Sequence, residues 1–166
     1  MRIAVCDDEE KYRVHVKTEL EKIVNSIDVV IDSFAQGEDL LKKIENKPYD
    51  IIFLDIEMPT MDGITIAKKI REQSENMELV FLTNHVEYAL EGYEVNALRY
   101  LTKPVNPVKL QEVISYMIKR EKNRKIIWVK NKDCEEKILV TDIIFMEAQN
   151  QKVEKHTKDK VYVQLC

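Results

Sequence analysis

Asp50-Ile51-Ile52-Phe53-Leu54-Asp55 sets four apolar side chains between two acids, and a loop carrying Pro59 and Asp62-Gly63 follows it. A continuous apolar run of this length fits a strand covered on both faces, as in parallel sheets flanked by helices. Toward the N-terminus, Ile3-Ala4-Val5 is a shorter run of the same kind, and it ends at Cys6-Asp7-Asp8. Residues 28–33 (Val29, Val30, Ile31) are β-branched and read as another strand. Between these two strands, Val16, Leu20, Ile23, Val24 and Ile27 recur at helical spacing, which predicts a helix over 9–25. Leu40, Leu41 and Ile44 predict a short helix over 37–46, stopped by Lys47-Pro48.

The alternation continues beyond Gly63. Ile66, Ala67 and Ile70 predict a helix over 64–73, and residues 78–82 a buried strand. Val86, Ala89, Leu90 and Tyr93 form a short helical stripe, and residues 98–101 the last strand of the series. Asn106-Pro107 reads as an N-cap followed by a first-turn proline. The helix it opens carries Leu110, Val113, Ile114 and Met117 and ends in the cationic run 119–125, a favourable place for positive charge. Five strand–helix units predict an α/β, doubly wound (βα)5 flavodoxin-like fold with parallel sheet order 2-1-3-4-5. The ligand crevice of such a fold lies beyond the carboxyl ends of its strands.

Composition bounds the function. The chain of 166 residues holds about one domain and a fragment of another. Hydrophobic content of 45% and charged content of 34% describe a soluble globular protein. No apolar run approaches about 18 residues, so no membrane span is expected. Acids appear too early for a secretory signal. Cys6, Cys134 and Cys166 suit free thiols in a reducing cytoplasm, and no pair has metal-ligand spacing. From residue 119 onward there are 12 Lys and Arg against 8 Asp and Glu, while the preceding part carries 14 against 22. That shift in charge predicts a boundary near residue 120, with an acidic part that repels nucleic acid.

Polar residues at the strand ends define the chemistry. Asp7, Asp8 and Asp55 bring three carboxylates to one crevice, and Thr83 and Lys103 add a hydroxyl and an ammonium. Magnesium prefers such oxygen ligands. Clustered carboxylates repel unless cations neutralise them, and Mg²⁺ and Lys103 would do so. A carboxylate can also act as a nucleophile toward phosphorus, giving an acyl phosphate. In-line transfer then needs positive charge near the moving oxygens. Taken singly, Asp7-Asp8 reads as a solvated strand end and Thr83 as a helix cap. Their convergence favours a magnesium and phosphoryl site.

Residues 1–122 resemble the receiver domain of two-component response regulators. The resemblance rests on Asp7-Asp8, Asp55, the Met58-Pro59 and Asp62-Gly63 loop, Thr83, and Tyr100 three residues before Lys103-Pro104. It implies that Asp55 is the phosphoacceptor, that Asp7, Asp8 and Asp55 serve Mg²⁺, and that Glu57 offers its backbone carbonyl to the metal. It also implies that Thr83 and Tyr100 form a switch pair, that Lys103 pairs with phosphoryl oxygens, and that Pro104 follows a cis peptide bond. A sensor histidine kinase would be the phosphodonor. Such a protein is not an enzyme in the ordinary sense, because it turns over only its own aspartyl phosphate. Glu57 and His85 occupy positions that vary in receivers and would tune the phosphoryl lifetime; an exposed helix-start residue is the plainer reading of His85. A homodimer would form through the face of the 86–93 helix, the 98–101 strand and the helix opened at Pro107.

Beyond Arg124 the texture turns β-rich, with short strands expected over 126–129, 137–140, 143–146 and 161–165. The stretches from Glu87 to Leu98 and from Val140 to Ala148 resemble receivers joined to LytTR-type DNA-binding domains. Residues 123–166 would then be the truncated beginning of such a domain, with transcription as output and DNA as a partner once it is complete. Lys130, Lys132, Lys152, Lys155, Lys158 and Lys160 would touch phosphates or sit in solvated turns. A receiver-only interaction protein, or phosphoryl sink, is the alternative. A phosphatase of the haloacid dehalogenase type also uses an Asp nucleophile and magnesium. Its nucleophile usually ends the first strand with a second Asp two residues on, whereas Asp55 ends the third and is followed by Glu57.

Overall fold

The computed structural model describes all residues except 26–27, 75, 85–94, 124–125, 132–133, 141–142, 150–151, 158–160 and 166. The chain divides into two compact units, Met1–Ile114 and Ser115–Cys166. In the first unit β1 (Arg2–Cys6), α1 (Glu10–Ile23), β2 (Val30–Phe34), α2 (Gly37–Asn46) and β3 (Ile51–Asp55) alternate as expected. They are followed by α3 (Gly63–Gln73), β4 (Glu78–Thr83), β5 (Arg99–Thr102) and the start of α4 (Pro107–Asn123). The expected helical stripe at 86–93, with His85 beside it, lies outside the described residues.

The sheet order is β2-β1-β3-β4-β5, all parallel, as the flavodoxin-like reading requires. All five residues of β3 are buried, because this strand lies at the centre of the sheet with side chains packed on both faces. Alternate residues serve opposite faces. Ala4, Cys6, Ile52, Leu54, Leu79 and Phe81 pack with Leu40, Ile44, Ile66 and Ile70 of α2 and α3. The intervening Ile3, Val5, Ile51, Phe53, Val80 and Leu82 are equally buried. The edge strands β2 and β5 are only partly covered.

Helix ends follow local chemistry. Asp62 caps α3, accepting hydrogen bonds from the Thr65 N–H and hydroxyl, both at 2.8 Å. Asn106 caps α4 as expected, its Oδ1 accepting from the Val108 N–H at 2.8 Å. Gly63 opens α3 because no side chain fits there: a Cβ would overlap the Asp55 carbonyl oxygen. Its N–H donates to the Ile56 carbonyl at 2.9 Å, folding the loop back against the end of β3.

The second unit holds antiparallel strands. β6 (Ile126–Asn131) pairs with β7 (Cys134–Leu139). β8 (Ile143–Gln149), β9 (Lys152–Thr157) and β10 (Val161–Leu165) form a three-stranded sheet with β9 in the middle. The sequence reading anticipated β6, β7, β8 and β10 and missed β9. Its Lys-Val-Glu-Lys-His-Thr carries one aliphatic residue, so no apolar pattern announces it; hydrogen bonds to strands on both sides create it. Lys152 and Lys155 therefore lie in a strand rather than in a turn, and Lys155 is buried.

Candidate functional site

Parallel register builds the site. Cys6 at the end of β1 lies opposite Leu54, which places Asp7 beside Asp55. Asp55 lies opposite Leu82, so Thr83, the buried last residue of β4, comes next along the same rim. Thr83 also lies opposite Thr102, and its carbonyl accepts a hydrogen bond from the Lys103 N–H at 2.9 Å. Lys103 thus enters from the end of β5, and its peptide bond to Pro104 is cis.

Three carboxylates and one ammonium meet there. One oxygen each from Asp7, Asp8 and Asp55 lies within 4.8 Å of the others. The Lys103 Nζ stands 2.7 Å from Asp7 Oδ2 and 2.9 Å from Asp55 Oδ2. All three of these paired side chains are at most 3% exposed. An ion pair this dry depends on precise pairing, since each charge has lost its water. The Glu9 N–H donates to Asp7 Oδ1 at 2.9 Å.

Proton affinities follow from this packing. Burial pushes the Asp55 carboxyl up to about 6; Lys103 pulls it down by hydrogen bonding and charge, and the Asp7 charge adds to the rise. The Glu57 N–H also hydrogen-bonds the Asp55 carboxylate and favours its charged form. Burial likewise raises Asp7 above the ordinary aspartate value, again against Lys103. For Lys103, burial disfavours the ammonium, but the hydrogen bonds to Asp7 and Asp55 outweigh it and raise its pKa. Burial lifts the neighbouring Cys6 thiol to about 12, so it stays protonated and unreactive.

The donor set suits a hard divalent cation. Among the described residues it groups carboxylate oxygens on a rigid sheet rim, the donor type that magnesium prefers. Asp8 Oδ1 is a buried atom that accepts no hydrogen bond from the described residues, the condition expected of an oxygen shaped for a metal or its water. A cavity of about 650 Å³ adjoins Asp8, lined also by Glu57, Met58, Pro59, Asp62 and Lys68.

The sequence-derived residues gather as follows. Asp7, Asp8, Asp55 and Lys103 share one cluster. Thr83 sits on the same rim. Glu57 is exposed two residues after Asp55, and its N–H reaches that carboxylate. Tyr100 is half-buried and stacks on Phe81 with ring centroids 5.3 Å apart. Sequence reasoning missed two neighbours on the first turns of α1. The Arg13 guanidinium donates to the Asp7 carbonyl at 2.5 Å and to the Asp8 carbonyl at 3.2 Å, holding the backbone of the acid pair. The Tyr12 ring centroid lies 4.8 Å from the Lys103 Nζ. Their only signal was position, four and five residues beyond Asp8 on the helix that the acid pair leads into. His15 contacts the Val105 carbonyl through Nε2 at 3.1 Å.

The profile of the response regulator receiver domain matches residues 3–115. The chain belongs to that family: it carries a receiver domain of two-component response regulators, which are not conventional enzymes. It is 35% identical over 117 residues to the positive alginate biosynthesis regulatory protein of Pseudomonas aeruginosa, covering 69% of this chain and 46% of that one. It is 30% identical over 117 residues to the sensory transduction protein LytR of Staphylococcus haemolyticus, covering 69% and 44%. The fold resembles the response regulatory domain of protein mrkE from Klebsiella pneumoniae, with a TM-score of 0.64, 27% identity, and coverage of 75% of this chain and all of that one. The chain spans less than half the length of these curated relatives. Receiver domains bind Mg²⁺ at their acidic pocket and are phosphorylated by sensor histidine kinases. No described helix is long and apolar enough to cross a membrane.

Proposed function

We propose that Asp55 accepts a phosphoryl group from a sensor histidine kinase and that residues 1–122 act as the switch of a cytoplasmic response regulator. The observation that carries this reading is the buried Lys103 ammonium held between Asp7 and Asp55 at 2.7 and 2.9 Å, beside a third carboxylate. With a pKa near 6, Asp55 is mostly ionised at neutral pH and can attack phosphorus. Its carboxylate oxygen forms the new P–O bond while the donor's bond to phosphorus breaks and the donor keeps that electron pair. Mg²⁺ held by Asp7, Asp8, Asp55 and the Glu57 carbonyl would neutralise charge on the phosphoryl oxygens. Lys103 supplies a second positive charge and re-pairs with a phosphoryl oxygen.

The phosphoryl group adds a charge of roughly −1.5 to −2 and strong acceptors. A state in which the Thr83 hydroxyl and Lys103 both reach those acceptors then gains population. Tyr100, stacked on Phe81 behind β4, is the ring that would turn with Thr83 and carry the change to the face of β5 and α4. A homodimer through that face would be the response.

The output we assign is transcriptional, through a LytTR-type domain begun by residues 123–166. Two lines support it: the resemblance of the Val140–Ala148 stretch, and the regulatory names of the relatives. The alternative is a receiver-only partner that binds no DNA. Failure of a chain carrying the completed domain to shift any duplex at low salt would favour it.

Incubation with a small phosphodonor and Mg²⁺, followed by intact-mass measurement, tests the core of the reading. Wild type should gain one phosphate and Asp55→Asn none. Equal labelling of the mutant would remove Asp55 from the role. Lys103→Ala should still label, more slowly, and should weaken the downstream response.

A further inference from the structure

We infer that Tyr12 is a positioning residue for Lys103, holding the ammonium toward the incoming phosphoryl oxygen when the metal draws on the carboxylates. The inference rests on the reading of Asp55 and Lys103 given above. A lysine ammonium has three N–H donors. Its charge is ion-paired with Asp7 Oδ2 at 2.7 Å and Asp55 Oδ2 at 2.9 Å. The Tyr12 ring also faces the ammonium, its centroid 4.8 Å from Nζ, within cation–π range.

Asp7 and Asp55 are the same carboxylates that the metal needs. Each coordinate bond to a cation reduces what the carboxylate can offer Lys103. The aromatic face is not a magnesium ligand, so its attraction for the ammonium survives metal binding. Lys103 is 2% exposed, and a desolvated cation–π contact is stronger than an exposed one. The ring also has its own anchor. Lys11 Nζ lies 4.5 Å from the same centroid and is ion-paired with Glu9 at 3.1 Å. Tyr12 is half-buried on α1 and is not among the buried core residues of that helix.

The test compares Tyr12→Phe, which keeps a π face, with Tyr12→Leu and Tyr12→Met, which fill space without one. The rate of labelling by a small phosphodonor with Mg²⁺ should fall about three- to tenfold in the Leu and Met variants and stay near wild type in Phe. In a Lys103→Ala background, Tyr12→Leu should cause no further slowing, because its effect passes through Lys103. Unchanged labelling in both aliphatic variants, or full additivity with Lys103→Ala, would overturn the assignment. A separate readout needs no phosphorylation. The ¹⁵N-detected Lys103 NH₃⁺ signal of the magnesium-loaded protein should persist in wild type and Phe and broaden in Leu and Met; an unaltered signal in both would likewise overturn it. If wild type takes no phosphate at all, the reading of Asp55 fails, and the NH₃⁺ signal still decides the role of Tyr12.

Discussion

At the scale of single residues, Asp55 is held at an energetic cost. Burial raises its pKa from 3.8 to about 6, so the folded protein keeps a proton that the unfolded chain has lost. Over that window the folded state binds more protons than the unfolded state, and stability falls as pH rises. Asp55→Asn removes the ionisable group. Without metal, chemical denaturation above pH 6 should show Asp55→Asn more stable than wild type by roughly 1–3 kcal/mol. The wild-type disadvantage should vanish near pH 4; a mutant less stable than wild type at pH 7.5 would contradict this. Lys103→Ala has the opposite sign. It leaves two buried carboxylates without their counter-charge and should cost about 3 kcal/mol in the same assay at pH 7.5, recovered in part at pH 5. Asp7, Asp55 and Lys103 were legible in the sequence because each follows an apolar run at a strand end. Tyr12 and Arg13 were not, because their roles depend on how α1 lies over the rim, which residue spacing does not reveal.

At the scale of elements, the loop between β3 and α3 is shaped by one close approach. A Cβ at Gly63 would strike the Asp55 carbonyl oxygen and its neighbouring backbone, which cannot yield as a flexible side chain can. Gly63→Ala should destabilise by about 1–3 kcal/mol and slow phosphodonor labelling, since it displaces the acceptor strand end. A melting midpoint and labelling rate equal to wild type would contradict that. Asn106→Ala should cost about 1 kcal/mol through loss of the α4 cap, with little effect on labelling. The strands of the first unit could be read because their apolar runs are unbroken. β9 could not, because its side chains are mostly polar and its pairing with β8 and β10 is a long-range event. The Asp62-Gly63 pair read as a turn, yet Asp62 is also the cap of α3; sequence alone does not separate the two uses.

At the scale of the molecule, the parallel order β2-β1-β3-β4-β5 carries Asp7, Asp55, Thr83 and Lys103 to one rim, and metal binding should couple that rim to global stability. Mg²⁺ at about 100 times its dissociation constant should add about 2.7 kcal/mol at neutral pH, removed by a chelator and much reduced in Asp8→Asn. No magnesium-dependent shift in wild type would contradict the metal site. The sheet order was legible from the succession of apolar runs; for the second unit the apolar pattern gave only a β-rich texture, which fits many partners, and its output rests on the resemblance of a short stretch. The central claim is that Asp55 itself becomes the acyl phosphate, and borohydride trapping tests it most directly. Borohydride reduces an aspartyl phosphate to homoserine, which peptide mass spectrometry can place. Homoserine at position 55, dependent on both phosphodonor and Mg²⁺, is the predicted result. Homoserine at position 7 or 8 instead, with aspartate intact at 55, would contradict the account.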